Sequence, residues 1–257
     1  MYEAMMIAAT GLKNQQYRLD TIANNVANVN SSAYKSVRLD FKDALYTSGI
    51  VPAKPRTPEG NQQKGHGVMV AGISKDFSMG NMQRTDRPLD AAIEGEGFFE
   101  LGDRDGNTVY TRNGVFNLSV EDDGDYLVNG SGLYLLDAGG NRIQVPNGTD
   151  TISINTDGTV AFEAFGEETV VKIGVYTFRN MTGLLSIGDG DYAESAASGE
   201  KLPAEGVAIR SGTIEGSNVN LAEEMTRLIR TQRTFQLSSR ALTTADEMEG
   251  IANNMRR

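Results

Sequence analysis

The chain has 257 residues, 34 acidic and 24 basic, for a formal net charge of −10 and a pI near 4.7. That length makes one large domain or two small ones with a sizeable core, and the acidic balance argues against a nucleic-acid partner held by phosphate neutralisation. With no cysteine and a single histidine, His66, disulfides, thiolate zinc sites, iron–sulfur clusters, cysteine nucleophiles and multi-histidine metal centres are excluded.

No apolar run reaches the ~18–20 residues that cross a bilayer, so membrane insertion is not expected. The opening MYEAMMIAATGLKNQQ lacks a basic n-region and does not read as a cleavable signal peptide. The chain is expected to be cytoplasmic, or to leave the cell by a route that needs no such signal.

Residues 1–30 carry a seven-residue repeat. Met5, Leu12, Leu19 and Val26 are spaced by seven, with Ala8, Gln15, Ile22 and Val29 three further on. This is an a/d helical seam with one polar position, Gln15. The first nine residues are apolar nearly all round, which calls for neighbours on every side. Asn24, Asn25, Asn28 and Asn30 are poor helix formers, so the helix should end near residues 27–30. The segment Ser48–Gly67, with Pro52, Pro55 and Pro58, reads as an extended connection without regular elements.

The middle of the chain alternates strand-like runs with turn dipeptides. Three runs are joined to the next through Asp105-Gly106, Asp123-Gly124 and Asp157-Gly158. Each reads as a hairpin with a type I′ turn, in which both central residues need positive φ. Val170–Phe178 reads as one longer strand. The middle also holds essentially the whole excess of acid, while the two ends are near neutral.

The last zone opens at Asn220, a plausible N-cap with Glu223 as its reciprocal carboxylate. Leu221, Leu228, Phe235 and Leu242 repeat at seven, flanked by Met225 and Gln232. Leu237, Ala241, Met248, Ile251 and Met255 form a second stripe. A helix of about 30 residues would run about 45–50 Å and carry two apolar edges. The expected fold class is therefore α+β: long N- and C-terminal helices paired as a coiled coil, with a β-rich centre of hairpins and meanders. Three portions are expected: a helical terminal part of residues 1–36 with 214–257, an intermediate part of 37–94 with 179–213, and a central β-rich part of 95–178.

Chemistry finds little footing. Asp103-Arg-Asp105-Gly-Asn107 begins like a calcium loop, but its glycine falls at position four instead of six and no glutamate follows at twelve. Ser32-Ala-Tyr-Lys35 matches Ser-x-x-Lys without the companion motifs of serine acyl enzymes. Gly95-Glu-Gly97 precedes Phe98-Phe99 and no helix, so a close backbone approach at the start of a strand explains it better than phosphate binding. His66, between two glycines, reads as structural. No catalytic, cofactor or metal residues are assigned.

The most regular apolar patterns thus lie at the chain ends, where fraying is usual, which points to burial between subunits. A secreted β-domain adhesin with a coiled-coil stalk is the alternative; an acidic β-rich enzyme lacks a convergent catalytic set. Leu19-Asp-Thr-Ile-Ala-Asn-Asn-Val-Ala-Asn-Val-Asn30 resembles the signature of the flagellar rod and hook proteins, the axial proteins of the bacterial flagellar basal body. Ser31-Ser-Ala-Tyr-Lys35 resembles its continuation, with Ala33 where glycine is usual. Ala92–Phe99, Tyr110–Phe116 and Leu127–Gly132 are similar to the family's central motifs, and Gly216–Met225 and Gln232–Phe235 to its C-terminal ones. The length and the ~20-residue connection Tyr46–Gly67 resemble the distal-rod members most, with the proximal-rod members next.

The resemblance implies a subunit exported unfolded by the flagellar type III apparatus and polymerised into a hollow, torque-transmitting shaft needed for motility. Its implied partners are further copies of itself, the proximal rod and hook proteins, the export apparatus, and the surrounding rings or cell wall. Met5, Leu12, Leu19, Ile22, Val26, Leu221, Met225, Leu228, Phe235 and Leu242 are the expected subunit-assembly residues. Arg227, Arg230, Gln236 and Arg240 are expected to line a wet channel or to pair across subunits.

Overall fold

A computed structural model describes residues 2–44, 46–48, 63–65, 67–122, 124–165 and 167–255. The chain is α+β and forms two compact units. The first holds residues Met1–Ala27, Val37–Lys75 and Asn220–Arg257; the second holds Asn28–Ser36 and Asp76–Val219.

The first unit contains α1 (Tyr2–Ala27), the strands β1 (Val37–Asp43), β2 (Tyr46–Ser48), β3 (Gln63–Gly65) and β4 (Val68–Lys75), and α2 (Leu221–Asn254). Helix α1 ends inside the expected asparagine cluster. Asn220 caps α2: its Oδ1 accepts the N–H of Ala222 at 3.1 Å and of Glu223 at 3.3 Å, satisfying amides that have no helical partner. The Glu223 carboxylate takes Arg227 at 2.5 Å, one turn on, in place of the expected reach back to Asn220. At 34 residues α2 is about 51 Å long. The helices pack on one another, and residues 18–25 of α1 share a groove with residues 224–231 of α2.

β1 and β4 form an antiparallel ladder with a bulge between Asp40 and Phe41. At the two ends of the expected extended connection β2 and β3 pair antiparallel, Tyr46 with Gly65 and Ser48 with Gln63; residues 49–62, with the three prolines, lie outside the described residues. His66 lies outside the described residues. The β1–β4 pair docks on α1 through asparagine side chains. Asn25 Nδ2 donates to the Val37 carbonyl and its Oδ1 accepts the Val37 N–H, both at 2.9 Å; Asn14 Nδ2 donates to the Val68 carbonyl. The Arg18 guanidinium stacks 4.7 Å from the Phe41 ring centroid.

The second unit is β-rich: β5 (Met82–Arg84), β6 (Ala91–Glu94), β7 (Phe98–Gly102), β8 (Thr108–Thr111), β9 (Asn117–Glu121), β10 (Gly124–Val128), β11 (Tyr134–Leu135), β12 (Gln144–Val145), β13 (Thr149–Ile154), β14 (Thr159–Ala164), β15 (Glu167–Lys172), β16 (Val175–Phe178), β17 (Leu185–Gly188), β18 (Asp191–Ala193), β19 (Lys201–Pro203), β20 (Ala208–Ser211) and β21 (Thr213–Glu215). A ten-stranded sheet runs β12-β10-β11-β7-β8-β18-β17, with β9 on β10 and β16 joining β7 to β19. β13-β14-β15 is a separate meander, and β6 pairs β20 as β5 pairs β21. Phe99, Leu101, Phe116, Leu127, Leu135, Val160 and Phe162 are sealed from solvent in one core. Phe98, Tyr110, Phe178 and Tyr192 form a second, edge-to-face cluster, with Tyr110 and Phe178 centroids 4.8 Å apart. Burial pushes the Tyr192 hydroxyl up to about 12.

Two of the three Asp-Gly pairs, Asp105-Gly106 and Asp157-Gly158, sit at hairpin connections, but they use another turn. In Asp103–Asn107 and Asn155–Thr159 the glycine alone takes positive φ, 84° and 85°, and its N–H donates to the carbonyl three residues back at 3.2 and 3.1 Å. This is a type I turn closed by a left-handed glycine, the usual alternative to type I′ when the loop is longer than two residues. Asn129–Leu133 and Asp137–Asn141 repeat the geometry, with glycine φ of 81° and 82°. Their leading side chains hold the loop: Asn129 Oδ1 accepts from the Ser131 and Leu133 amides at 2.9 Å, and Asp137 Oδ1 from Gly139 and Asn141 at 2.7 and 2.8 Å. Asp123, of the third pair, lies outside the described residues.

The single strand expected over Val170–Phe178 is two strands. It breaks at Ile173-Gly174, where β15 of the meander gives way to β16 of the large sheet. A side chain at Gly174 would begin 2.8 Å from the Asp137 carbonyl oxygen, a space that only glycine leaves open.

Candidate assembly surfaces

On α1 the expected seam is the face turned inward. Ile22 is buried, and Met5, Leu12, Gln15, Leu19 and Val26 are half-buried. Gln15 Oε1 is buried without a hydrogen-bond partner. On α2 the half-buried apolar positions are Leu228, Phe235 and Leu242. Between them fall Glu224 and Thr231, both buried, and Ser238 and Ala245, both half-buried. These seven positions follow a strict four–three spacing. Sequence reasoning missed Glu224, Thr231 and Ser238 because it weighed apolar residues alone; the spacing itself would have found them.

Leu221 and Met225 stay exposed, at 45% and 42%. The second stripe is more exposed still: Leu237 66%, Met248 58%, Ile251 60% and Met255 79%. Of the polar residues, Arg227 is held on its own helix by Glu223 at 2.5 Å and Glu224 at 2.9 Å. Arg230, Gln236 and Arg240 are exposed. Arg227 and Arg230 line a groove of about 560 Å³ with Arg18, Ile22, Asn25 and Glu224, and the second carboxylate oxygen of Glu224 is buried there without a partner.

In the second unit three of the quoted motifs, Ser31–Lys35, Ala92–Phe99 and Tyr110–Phe116, meet at one buried ion cluster. Glu215 Oε1 accepts from Lys35 Nζ at 2.7 Å and from the Gly80 amide at 2.8 Å, and Oε2 accepts from Arg112 Nε at 2.9 Å. None of the three charged side chains exposes more than 3%. Arg112 Nη1 donates to the carbonyls of both Gly95 and Gly97 at 2.8 Å, which gives the Gly-Glu-Gly segment its use. Lys35 Nζ also donates to the Ser78 carbonyl at 2.8 Å. Burial pushes the Glu215 carboxyl up, but the adjacent Arg112 and Lys35 cations outweigh it and hold it below the usual carboxylate range. Burial lowers the Lys35 ammonium further than Glu215 raises it.

Around this cluster the turn after α1 is fixed. Ala33 takes left-handed backbone, φ 54°, and its N–H donates to the Glu215 carbonyl at 2.7 Å. That is the position where the resembling motif carries glycine. Asn218 Oδ1 accepts the Ser36 amide at 2.7 Å while its Nδ2 donates to the Asp76 carbonyl at 2.8 Å. Lys35 in the Ser-x-x-Lys match is thus a buried ion-pair partner, and Asp103–Asn107 is a hairpin loop. Among the described residues, no group of three metal-ligating side chains forms and no helix is long and apolar enough to cross a membrane.

Three family models match in chain order: "Flagella basal body rod protein" over residues 5–35, "Flagellar hook protein FlgE/F/G D1 domain" over 92–162, and "Flagellar basal body rod FlgEFG protein C-terminal" over 210–255. Flagellar basal-body rod protein FlgG of Borreliella burgdorferi is 36% identical, covering 100% of both chains. The Bacillus subtilis protein of that name is 37% identical over 100% of both, and the Agrobacterium fabrum one 35% identical over 97% of this chain and 98% of its own. The chain therefore belongs to the flagellar basal-body rod family, in its FlgG branch, as a structural subunit of the distal rod of the bacterial flagellum.

Proposed function

We propose that the helical unit is the polymerising part of this rod subunit, and that copies stack through it into a hollow shaft that transmits torque. One imbalance carries the reading. Among the described residues of that unit, only Ile22 and Leu39 are fully buried apolar side chains, while Tyr17, Met6, Ile229, Leu237, Met248, Ile251 and Met255 are all at least 44% exposed. Each such side chain taken fully out of water is worth about 1.5–3 kcal/mol, so stacked copies recover what the single chain leaves in solvent.

In this reading α1 and α2 form a short coiled coil through Met5, Leu12, Leu19, Ile22 and Val26 against Leu228, Phe235 and Leu242. Leu221, Met225 and the outer stripe of α2 meet neighbouring copies. Each copy repeats the same heterologous contact, which generates an open helix. Arg230, Gln236 and Arg240 remain on polar faces, toward a wet channel or a neighbour's acid. The other partners are axial proteins above and below in the shaft and the type III export apparatus, with rings or cell wall around it; the role is structural and not catalytic.

The test is Leu228→Asp in a motile strain. The variant is expected to keep a folded β unit, by circular dichroism and proteolysis of the purified chain, and to leave basal-body growth stopped before the distal rod is complete. Wild-type motility in that strain overturns the assignment of the seam.

A further inference from the structure

We propose that the apolar groove between α1 and the β1–β4 pair is the seat for the outer stripe of α2 from a second copy of this chain; the inference rests on the polymer reading above. The groove belongs to a face of α1 that the helix pair leaves open. Tyr17, Thr21 and Asn24 supply one wall, Val37 and Leu39 of β1 with Val70 and Ile73 of β4 the other, around about 460 Å³. Ile73 is 69% exposed and Tyr17 44%. Positions 17, 21 and 24 follow helical spacing on a strip about 160° round the helix from the inward seam at 15, 19, 22 and 26, so the chain's own α2 does not fill it.

The stripe has the form such a groove takes. Leu237, Ala241, Thr244, Met248, Ile251 and Met255 follow a four–three–four–three–four spacing, one residue, or about 100°, round the helix from the inward positions. Four of them are large, apolar and more than half exposed. An amphipathic helix laid in a groove reads out as anchors three and four residues apart. Charge selects the register. Arg233 and Arg240 lie four before and three after Leu237, on one flank of the stripe, and both are exposed. The groove carries the exposed Asp20 on its rim. Leu237 over the groove therefore brings that arginine flank to the carboxylate. Groove and stripe are different surfaces of one chain, so the contact does not close on itself and propagates an open array.

The chain has no cysteine, which makes cross-linking a clean test. Ile73→Cys, Leu237→Cys and the double variant are expressed in a strain lacking the native copy, and basal bodies are isolated and oxidised. The double variant is expected to give a ladder of disulfide-linked multimers, and each single variant only monomer. Rods that assemble from the double variant but yield no ladder overturn the inference and leave the polymer reading standing; an unsubstituted chain that builds no rod overturns both. Should the double variant fail to assemble, a charge swap decides. Asp20→Arg is expected to lower rod completion at least tenfold, and Arg233→Asp with Arg240→Asp in the same chain to restore it. Absence of restoration, or no loss from Asp20→Arg, overturns the inference.

Discussion

The helical unit fully buries two apolar side chains among its described residues, Ile22 and Leu39, whereas the β unit seals a continuous core from Ala91 to Ile209 and a separate aromatic cluster. Charge divides them as sharply. Over the sequence, the helical unit holds 14 basic and 10 acidic residues, a net +4, and the β unit 10 basic and 24 acidic, a net −14. One unit is finished by its own chain and carries a strong net negative charge that keeps it solvated. The other leaves apolar side chains exposed and carries a far smaller net charge, fit to pack on copies of itself. Stability and assembly are therefore assigned to different stretches of one sequence, and substitutions should separate them.

The largest effect is expected at Glu215. Glu215→Ala leaves the buried cations of Lys35 and Arg112 without their shared carboxylate, and breaking a buried pair in this way costs about 3–5 kcal/mol. Denaturant unfolding of the β unit reads that loss. The pH dependence follows from the depressed Glu215 carboxyl. A carboxyl lowered by folding contributes fully above its unfolded value of about 4.5 and loses the contribution as pH falls through the folded one. The wild type should lose stability with acid below about pH 4.5, and Glu215→Gln should flatten that part of the curve.

A second test sharpens the contrast from the other side. Leu237→Asp alters a side chain that is 66% exposed, so the stability of the purified chain should change by no more than about 0.5 kcal/mol. Polymer formation, measured by sedimentation of assembled rods, should nonetheless be lost. A stability loss of several kcal/mol would place Leu237 in the subunit's own core and erase the division between the units.

Hydrogen exchange reports the same division without substitution. Amides of β7 and β8, inside the sealed core, should exchange only with global unfolding, and amides of α2 from Met248 onward far faster in dilute monomer. Assembly should slow the second set and leave the first unchanged.

How legible this was differs by unit, for a physical reason. The seam of α1 shows in the sequence because its seven-residue spacing is carried by apolar residues. Three of the seven inward positions of α2 are the polar Glu224, Thr231 and Ser238, which a search for apolar period passes over. The hairpins were visible as Asp-Gly pairs, but turn type depends on loop length and on Asx side chains such as Asn129 and Asp137, which a dipeptide does not encode. The ion cluster had no local signal at all, since Lys35 and Glu215 are 180 positions apart. The family motifs marked the segments of Lys35 and Arg112, but they did not include Glu215 or say that charge joins them.

The smallest expected effect lies at Ala33, where two terms nearly cancel. Left-handed backbone costs a residue with a Cβ about 1–2 kcal/mol, and Ala33 bears it at φ 54°. Ala33→Gly removes that strain. It also removes a methyl group that is 1% exposed, worth about 0.8 kcal/mol, and adds backbone freedom to the unfolded chain, worth a further ~0.5–1 kcal/mol. The glycine variant should therefore fall within about 1 kcal/mol of the wild type by thermal unfolding. Ala33→Val keeps the strain, stiffens it with a branched Cβ and overfills a buried site, so it should lose at least about 2 kcal/mol. If glycine instead stabilised the β unit by several kcal/mol, the strain at this turn would be far larger than the hydrogen bond from Ala33 to Glu215 can hold, and the turn would have to be held by the ion cluster beside it.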